Sequence, residues 1–184
     1  MHLVRIAGFS AFLLTAPLVA QDKAADTSKQ ANPFDLSAVK NLIGTEGVPT
    51  ADAVAALEQQ SQAAMSAGDC KQAVELMDKY ARKANALANL IASGLQPYYD
   101  ASYDSRKGFS YSKLSSLIPA EKLANGYRAK RNHAMIMQAE CFTKLGDTDK
   151  AVQTYFQVLN LTSIDDTEWW DRARNELYSL LGVK

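Results

Sequence analysis

The chain has 184 residues with 20 basic and 20 acidic side chains, so its formal net charge at pH 7 is zero. This balance excludes the basic excess that draws proteins onto nucleic acid. The length suits one domain with a sizeable core and is short for two.

The first 20 residues have the layout of a secretory signal peptide. Arg5 precedes a short apolar run from Ile6 to Ala16, and small residues suited to cleavage stand before Gln21. The run is short for a membrane span. We therefore predict an exported protein, periplasmic or secreted, that has no stable membrane span once residues 1–20 are removed. The alternative is a buried N-terminal helix or an uncleaved anchor.

Residues 21–34 are polar and lack apolar periodicity, which predicts a disordered leader. A single helical domain is expected over residues 35–184. Its first helix is predicted to begin near Asp35 and to stop at Gly44.

Apolar periodicity and capping residues predict five further helices. Thr50 is a suitable N-cap for the first of them, and Pro119 suits the first turn of the third. No stretch alternates as a strand does, so the predicted fold class is all-α. The predicted helices cover residues 51–67, 70–93, 119–145, 148–161 and 167–181.

Residues 95–114 are predicted to form a long connection that is rich in aromatic residues. Long connections often carry function, and tyrosines offer a large contact area together with a hydroxyl group. The alternative is that these rings fold back over apolar surface of the neighbouring helices. The candidate binding residues of this loop are Tyr98, Tyr99, Tyr103, Phe109 and Tyr111.

An internal repeat appears when residues 67–80 are aligned with residues 145–158. Both segments contain Gly-Asp, then Ala-Val, and then a large residue at the same offset. The glycine is expected to end a helix, the alanine to let two helices approach, and the large residue to fill the groove between them. These positions are Gly68, Ala73 and Met77 in the first copy, and Gly146, Ala151 and Tyr155 in the second.

The second copy resembles the tetratricopeptide repeat, a family of paired helices. Its second-helix signature is matched at Gly146, Ala151, Tyr155 and Leu159, and the first copy is a looser match. The resemblance implies a right-handed stack of antiparallel helical hairpins, here with an elongated central hairpin and a C-terminal capping helix. It also implies a scaffold that binds a protein or peptide. The alternative fold is an ordinary helix bundle with similar turns.

The two long central helices are expected to pair in antiparallel fashion. If Ser93 lies opposite Pro119, then Cys70 lies one position from the level of Cys141. In an oxidising compartment this register predicts a Cys70–Cys141 disulfide. The alternative is two buried free thiols near each other.

No catalytic constellation can be assembled from the sequence. His133 is the one histidine after residue 20, and a lone helical histidine is usually a packed or surface residue. No phosphate-binding glycine loop and no zinc-spaced cluster occur, so we expect no enzyme, no cofactor and no metal. The basic run of Arg128, Lys130 and Arg131 is interpreted as a solvated helix face, with an anion contact as the alternative.

The leading functional hypothesis is an exported adaptor that binds a protein or peptide partner. The alternative is a small-ligand or glycan-binding protein that uses the loop over residues 95–114. The sequon at Asn160 matters only where exported proteins are glycosylated.

Overall fold

The computed structural model describes residues 37–43, 47–98, 101–163 and 166–183. These residues form seven α-helices and no strand, which confirms the all-α prediction. The predicted signal peptide (1–20), the predicted leader (21–34) and Tyr99 lie outside the described residues.

The helices follow the predicted order. The bounds predicted as 51–67, 70–93, 148–161 and 167–181 agree with the structure to within one residue, whereas the helix predicted over 119–145 begins earlier. None of the described helices is both long enough and apolar enough to cross a membrane. The helices are α1 (Ser37–Ile43), α2 (Ala51–Ser66), α3 (Cys70–Ser93), α4 (Tyr103–Lys107), α5 (Tyr111–Leu145), α6 (Thr148–Leu161) and α7 (Thr167–Leu181).

The two Gly-Asp turns of the repeat adopt the same geometry. Gly68 and Gly146 have φ angles of 74° and 76°, the left-handed conformation that ends helices and that favours glycine. Asp69 caps α3 by accepting a hydrogen bond from the backbone N–H of Gln72, and Asp147 caps α6 in the same way. The sequence repeat is therefore also a repeat of local structure.

The start of α5 corrects one sequence prediction. The helix begins at Tyr111, and Pro119 lies inside it instead of in its first turn. Proline lacks the N–H that would bond to the carbonyl of Ser115, so α5 has one backbone hydrogen bond fewer at this point. In the turn before Pro119, the hydroxyl groups of Ser115 and Ser116 donate to the backbone carbonyls of Ser112 and Lys113. As a result, the connection between α3 and α5 is shorter than residues 95–114 and contains α4.

The helices pack mainly against their neighbours in the chain. α2 packs on α3, α3 on α5, α5 on α6, and α6 on α7, while α1 contacts α3 and α7 also contacts α5. The longest contact is that of α3 with α5, which form the expected central hairpin. Small side chains permit this close approach. Its buried alanines are Ala73, Ala81, Ala84, Ala88, Ala92, Ala124, Ala134 and Ala139.

Large buried side chains fill the spaces on either side of this hairpin. Tyr155 and Ile136 centre one cluster, between α5, α6 and α7, and Ala151 lies within it. Tyr80 and Val54 belong to a second cluster, where α2 meets α3 and α5. Met77 belongs to a third, together with both cysteines. The alanine and the large residue of each repeat copy are therefore all core residues.

Enlarging the small repeat residue should destabilise the fold. Ala151 has no exposed surface, so Ala151→Leu must push α6 away from α5. We expect the free energy of unfolding, measured by urea titration, to fall by about 1–3 kcal/mol. Ala129→Leu, on the exposed side of α5, is the matched control and should change it by less than about 0.5 kcal/mol. Equal effects of the two substitutions would contradict close packing at Ala151.

Candidate functional site

The predicted binding loop lies at the tip of the α3–α5 hairpin, and some of its rings support one another. Tyr98 is half-buried and meets Phe109 edge-on, with ring centroids 5.6 Å apart and an angle of 87° between the planes. The guanidinium of Arg106 lies 5.5 Å from the centroid of the Tyr98 ring. Ser102 caps α4 by accepting from the N–H of Ser105. These contacts give the loop an ordered local structure.

Two other rings of the loop face solvent. Tyr103 is 75% exposed and Tyr111 is 81% exposed. The ammonium group of Lys107 lies 4.3 Å from the centroid of the Tyr103 ring, a cation–π distance. The five candidate residues are thus divided: Tyr98 and Phe109 pack, Tyr103 and Tyr111 are exposed, and Tyr99 is not described. We call the surface of Tyr103, Arg106, Lys107 and Tyr111 the tip surface.

A second polar surface joins α2, α5 and α7. The Lys130 ammonium donates to the Glu58 carboxylate at 2.5 Å, which links α5 to α2. Arg172 on α7 forms an ion pair with Glu140 on α5. The side chains of Glu58 and Glu140 are only 23% and 19% exposed, so each ion pair is less screened by water than a pair on the open surface. We call these four residues, with His133 and Trp169, the ion-paired face.

His133 contributes an aromatic contact to this face. Its ring lies 4.6 Å from the Trp169 ring, centroid to centroid, at an angle of 42°. Burial lowers the pKa of His133, and the positive charge of Arg172 acts in the same direction against the nearby carboxylates of Glu58 and Glu140. At neutral pH the imidazole is therefore uncharged and packs on the indole as a neutral ring.

Each glutamate of the ion-paired face has a buried tyrosine hydroxyl nearby. Burial raises the pKa of Tyr80, and the neighbouring Glu58 carboxylate raises it further. Burial raises the pKa of Tyr155 to about 12, with added effects of Glu140 and Glu176. Both phenols therefore stay protonated at physiological pH.

A pocket of about 300 Å³ opens beside the Glu140–Arg172 pair. Tyr155, Thr143, Lys144 and Glu176 complete its lining. The lining combines hydrogen-bond donors and acceptors with both signs of charge and offers little apolar surface.

The sequence did not indicate the ion-paired face. Glu58 and Lys130 are 72 residues apart, and neither stands in a motif. A usable signal existed only in the resemblance to helical hairpins, which places His133, Glu140 and Glu58 on the first helices of their pairs. Which residues they pair with is decided only when the helices pack together.

The two cysteines lie at the same level of the hairpin, but the predicted disulfide is absent from this structure. Both are buried free thiols in one cluster. The Cys141 thiol donates to the Met65 sulfur at 3.0 Å instead of bonding to Cys70. The antiparallel register brings the two thiols into contact, where Cys70 raises the pKa of Cys141, but they do not reach the geometry of an S–S bond.

The described residues contain no group of three or more His, Cys, Asp or Glu side chains placed to hold a metal ion. Asn160 is exposed, whereas Thr162 of the same sequon is buried and accepts a hydrogen bond from Asn132.

Comparison of the chain with known protein families, with curated proteins and with solved structures gives no significant match.

The Glu58–Lys130 pair should contribute a small, pH-dependent stability. Partial burial alone would raise the pKa of the Glu58 carboxyl, but Lys130 and Tyr80 together hold it below its ordinary value of 4.5. A lowered folded-state pKa gives stability that is present above pH 4.5 and is lost as the pH falls through the folded value. Glu58→Gln should therefore lower the free energy of unfolding by about 0.5–1 kcal/mol at neutral pH and by less at about pH 3.

Urea titrations at the two pH values measure this difference. Glu75→Gln, at an exposed site on α3, is the control and should have little effect at either pH. A Glu58→Gln effect that persists unchanged in acid would show that the ion pair is not its cause.

Cys141 should be slow to alkylate while the protein is folded. Burial is the largest cause that raises the pKa of Cys141, and it remains when Cys70 is replaced, so little reactive thiolate is present at pH 8. In reduced Cys70→Ser protein, we expect iodoacetamide to modify Cys141 more than about 100-fold faster in denaturant than in native buffer. Similar rates in the two conditions would contradict the burial of this thiol.

Proposed function

We propose that this protein is an exported adaptor, built as a tetratricopeptide-like stack of helical hairpins, that binds a protein or peptide partner. The matching turns at Gly68 and Gly146 support the stacked-hairpin architecture, because each joins two helices in the same way. Both copies also bury their small and large signature residues. Export is supported by the layout of residues 1–20.

The tip surface is the observation that carries the binding proposal. Tyr103 and Tyr111 expose most of their rings, although burying a large aromatic ring is usually favourable. Tyrosine and arginine are enriched among the residues that dominate binding energies at protein interfaces. Here the exposed rings stand on an ordered support, the Tyr98–Phe109 pair and the Ser102 cap, so little conformational entropy would be lost on binding.

The charge of the tip surface indicates the kind of partner. Lys107 lies over the exposed Tyr103 ring and Arg106 over the half-buried Tyr98 ring, with Asp104 as the acidic neighbour, 3.6 Å from Lys107. Basic groups among exposed aromatic rings complement a segment that carries acidic and apolar side chains. The favoured partner is therefore a protein segment of that composition.

A glycan is the second candidate ligand, because exposed tyrosines can also stack on sugar rings. The two candidates differ in their dependence on charge. An acidic peptide needs Arg106 and Lys107, whereas a neutral glycan would depend mainly on Tyr103 and Tyr111.

Substitution of the exposed tyrosines should remove partner binding and spare the fold. We expect Tyr103→Ser with Tyr111→Ser to leave the melting temperature within about 2 °C of wild type, because both side chains are mostly in solvent. The same variant should retain less than about one tenth of the wild-type capture of a stoichiometric partner from the native compartment. Tyr178→Ser, at a partly exposed tyrosine on α7, is the matched control and should capture as wild type.

The outcome also separates the two ligands. Loss of capture on changing Arg106 and Lys107 to Gln favours the acidic peptide segment. Retention on a glycan column that survives these charge changes, but is lost with the tyrosines, favours the glycan. A double tyrosine variant that melts much earlier, or that captures its partner normally, would defeat the proposal that the tip surface binds.

A further inference from the structure

A half-buried guanidinium without a carboxylate partner lies on the side of α5 that faces away from the ion-paired face. Helical spacing places Arg131, Met135 and Gln138 on one side of α5, roughly opposite His133 and Glu140. Arg131 donates to Asn85 Oδ1 at 2.7 Å and to Asn132 Oδ1 at 2.9 Å. In the part of the chain that the structure describes, no carboxylate pairs with it.

This arrangement is unusual because buried cations are normally paired with anions. Two neutral amide oxygens orient the guanidinium but leave its charge uncompensated. Burial lowers the pKa of Arg131, and the positive charge of Arg128 lowers it further. An anion placed against the Arg131 guanidinium would raise its pKa again and so oppose the effects of burial and of Arg128.

A groove beside Arg131 has room for such an anion. It lies between α3, α5 and α6 and has a volume of about 320 Å³, at the small end of the range for ligand sites. Its polar lining includes Asn85, Gln138 and Gln157, while Met135 and Leu161 supply apolar surface. The one acid in the lining, Asp78, forms an ion pair with Arg82 on the same helix and does not neutralise Arg131.

The walls of the groove are fixed before any ligand arrives. Asn132, which is almost fully buried, accepts from Arg131 and donates to Thr162 Oγ1 at 3.1 Å, so it ties α5 to the end of α6. Asn85 holds the guanidinium from the α3 side. A guanidinium held in this way can offer its remaining N–H groups to two carboxylate oxygens without a large loss of entropy.

We propose that this groove, the Arg131 groove, binds an organic carboxylate that carries a small apolar body. The carboxylate would pair with the Arg131 guanidinium, and the apolar body would contact Met135 and Leu161. The carboxylate could belong to a free aliphatic acid or to the end of a peptide. The Arg131 groove is separate from the tip surface, so this proposal can be tested independently of the proposed adaptor function.

Titration of the full chain with hexanoate and with hexanol, followed by amide NMR shifts, tests the proposal. Hexanoate should bind saturably with a Kd of about 1 mM or tighter, shift signals from α3 and the end of α6, and bind at least about tenfold more tightly than hexanol. Equal binding of the acid and the alcohol, or no saturable shift, would overturn it. N-acetylleucine and its amide form a second pair. A peptide end is the source if N-acetylleucine binds at least about tenfold more tightly than hexanoate.

Arg131→Met and Arg128→Met are the matched variants. Arg131→Met should weaken hexanoate binding at least about tenfold, whereas Arg128→Met, at a nearby arginine that bonds to Asn125, should bind as wild type. Equal loss in both variants would mean a general attraction of anions and would overturn the site. Arg131→Met removes an uncompensated charge but also the donor to the buried Asn132 oxygen, so its melting temperature should fall by no more than about 5 °C. A large fall in its melting temperature would assign Arg131 a structural role instead.

Discussion

Buried alanines line the contact between α3 and α5, and this contact places the rest of the described fold. Because Ala73, Ala84 and Ala139 add almost no bulk beyond the backbone, the two helices can run close together along much of their length. Larger residues then fill the spaces where α2, α6 and α7 approach. The outer helices are therefore held by a hairpin whose own spacing is set by its smallest side chains.

α5 contributes to every candidate surface. One side carries Lys130, His133 and Glu140 towards α2 and α7, and the opposite side carries Arg131 and Gln138 towards α3 and α6. Its first turn carries Tyr111 at the tip surface. Adjacent residues in the sequence, Lys130 and Arg131, thus serve different surfaces: the first is paired with a carboxylate and the second with two amides. The basic run is interpreted from its sequence as one solvated helix face, but packing of the helices places Lys130 and Arg131 in two different environments.

Local signals in the sequence were sufficient for most of the helices. Gly68 and Gly146 mark turns through a backbone conformation that glycine favours, and Asp69 and Asp147 mark the caps that follow. Pro119 misled the prediction because proline fits a first helical turn, although Leu114, Leu117 and Ile118 already had helical spacing upstream of it. Local signals could place Cys70 level with Cys141, but they could not show that the Cys141 thiol would contact the Met65 sulfur. They also could not show the Glu58–Lys130 pair, which exists only after distant helices have packed.

The length of α5 has a further geometric consequence. The helix has 35 residues against 24 in α3, so at about 1.5 Å per residue it is about 16 Å longer than its principal packing partner. About 29 residues separate Tyr111 from Glu140, which corresponds to about 44 Å along a single uninterrupted helix. Two ligands held at its opposite ends would be kept apart by this helix. Pro119, which removes one backbone hydrogen bond between them, is where the helix would bend if they approached each other.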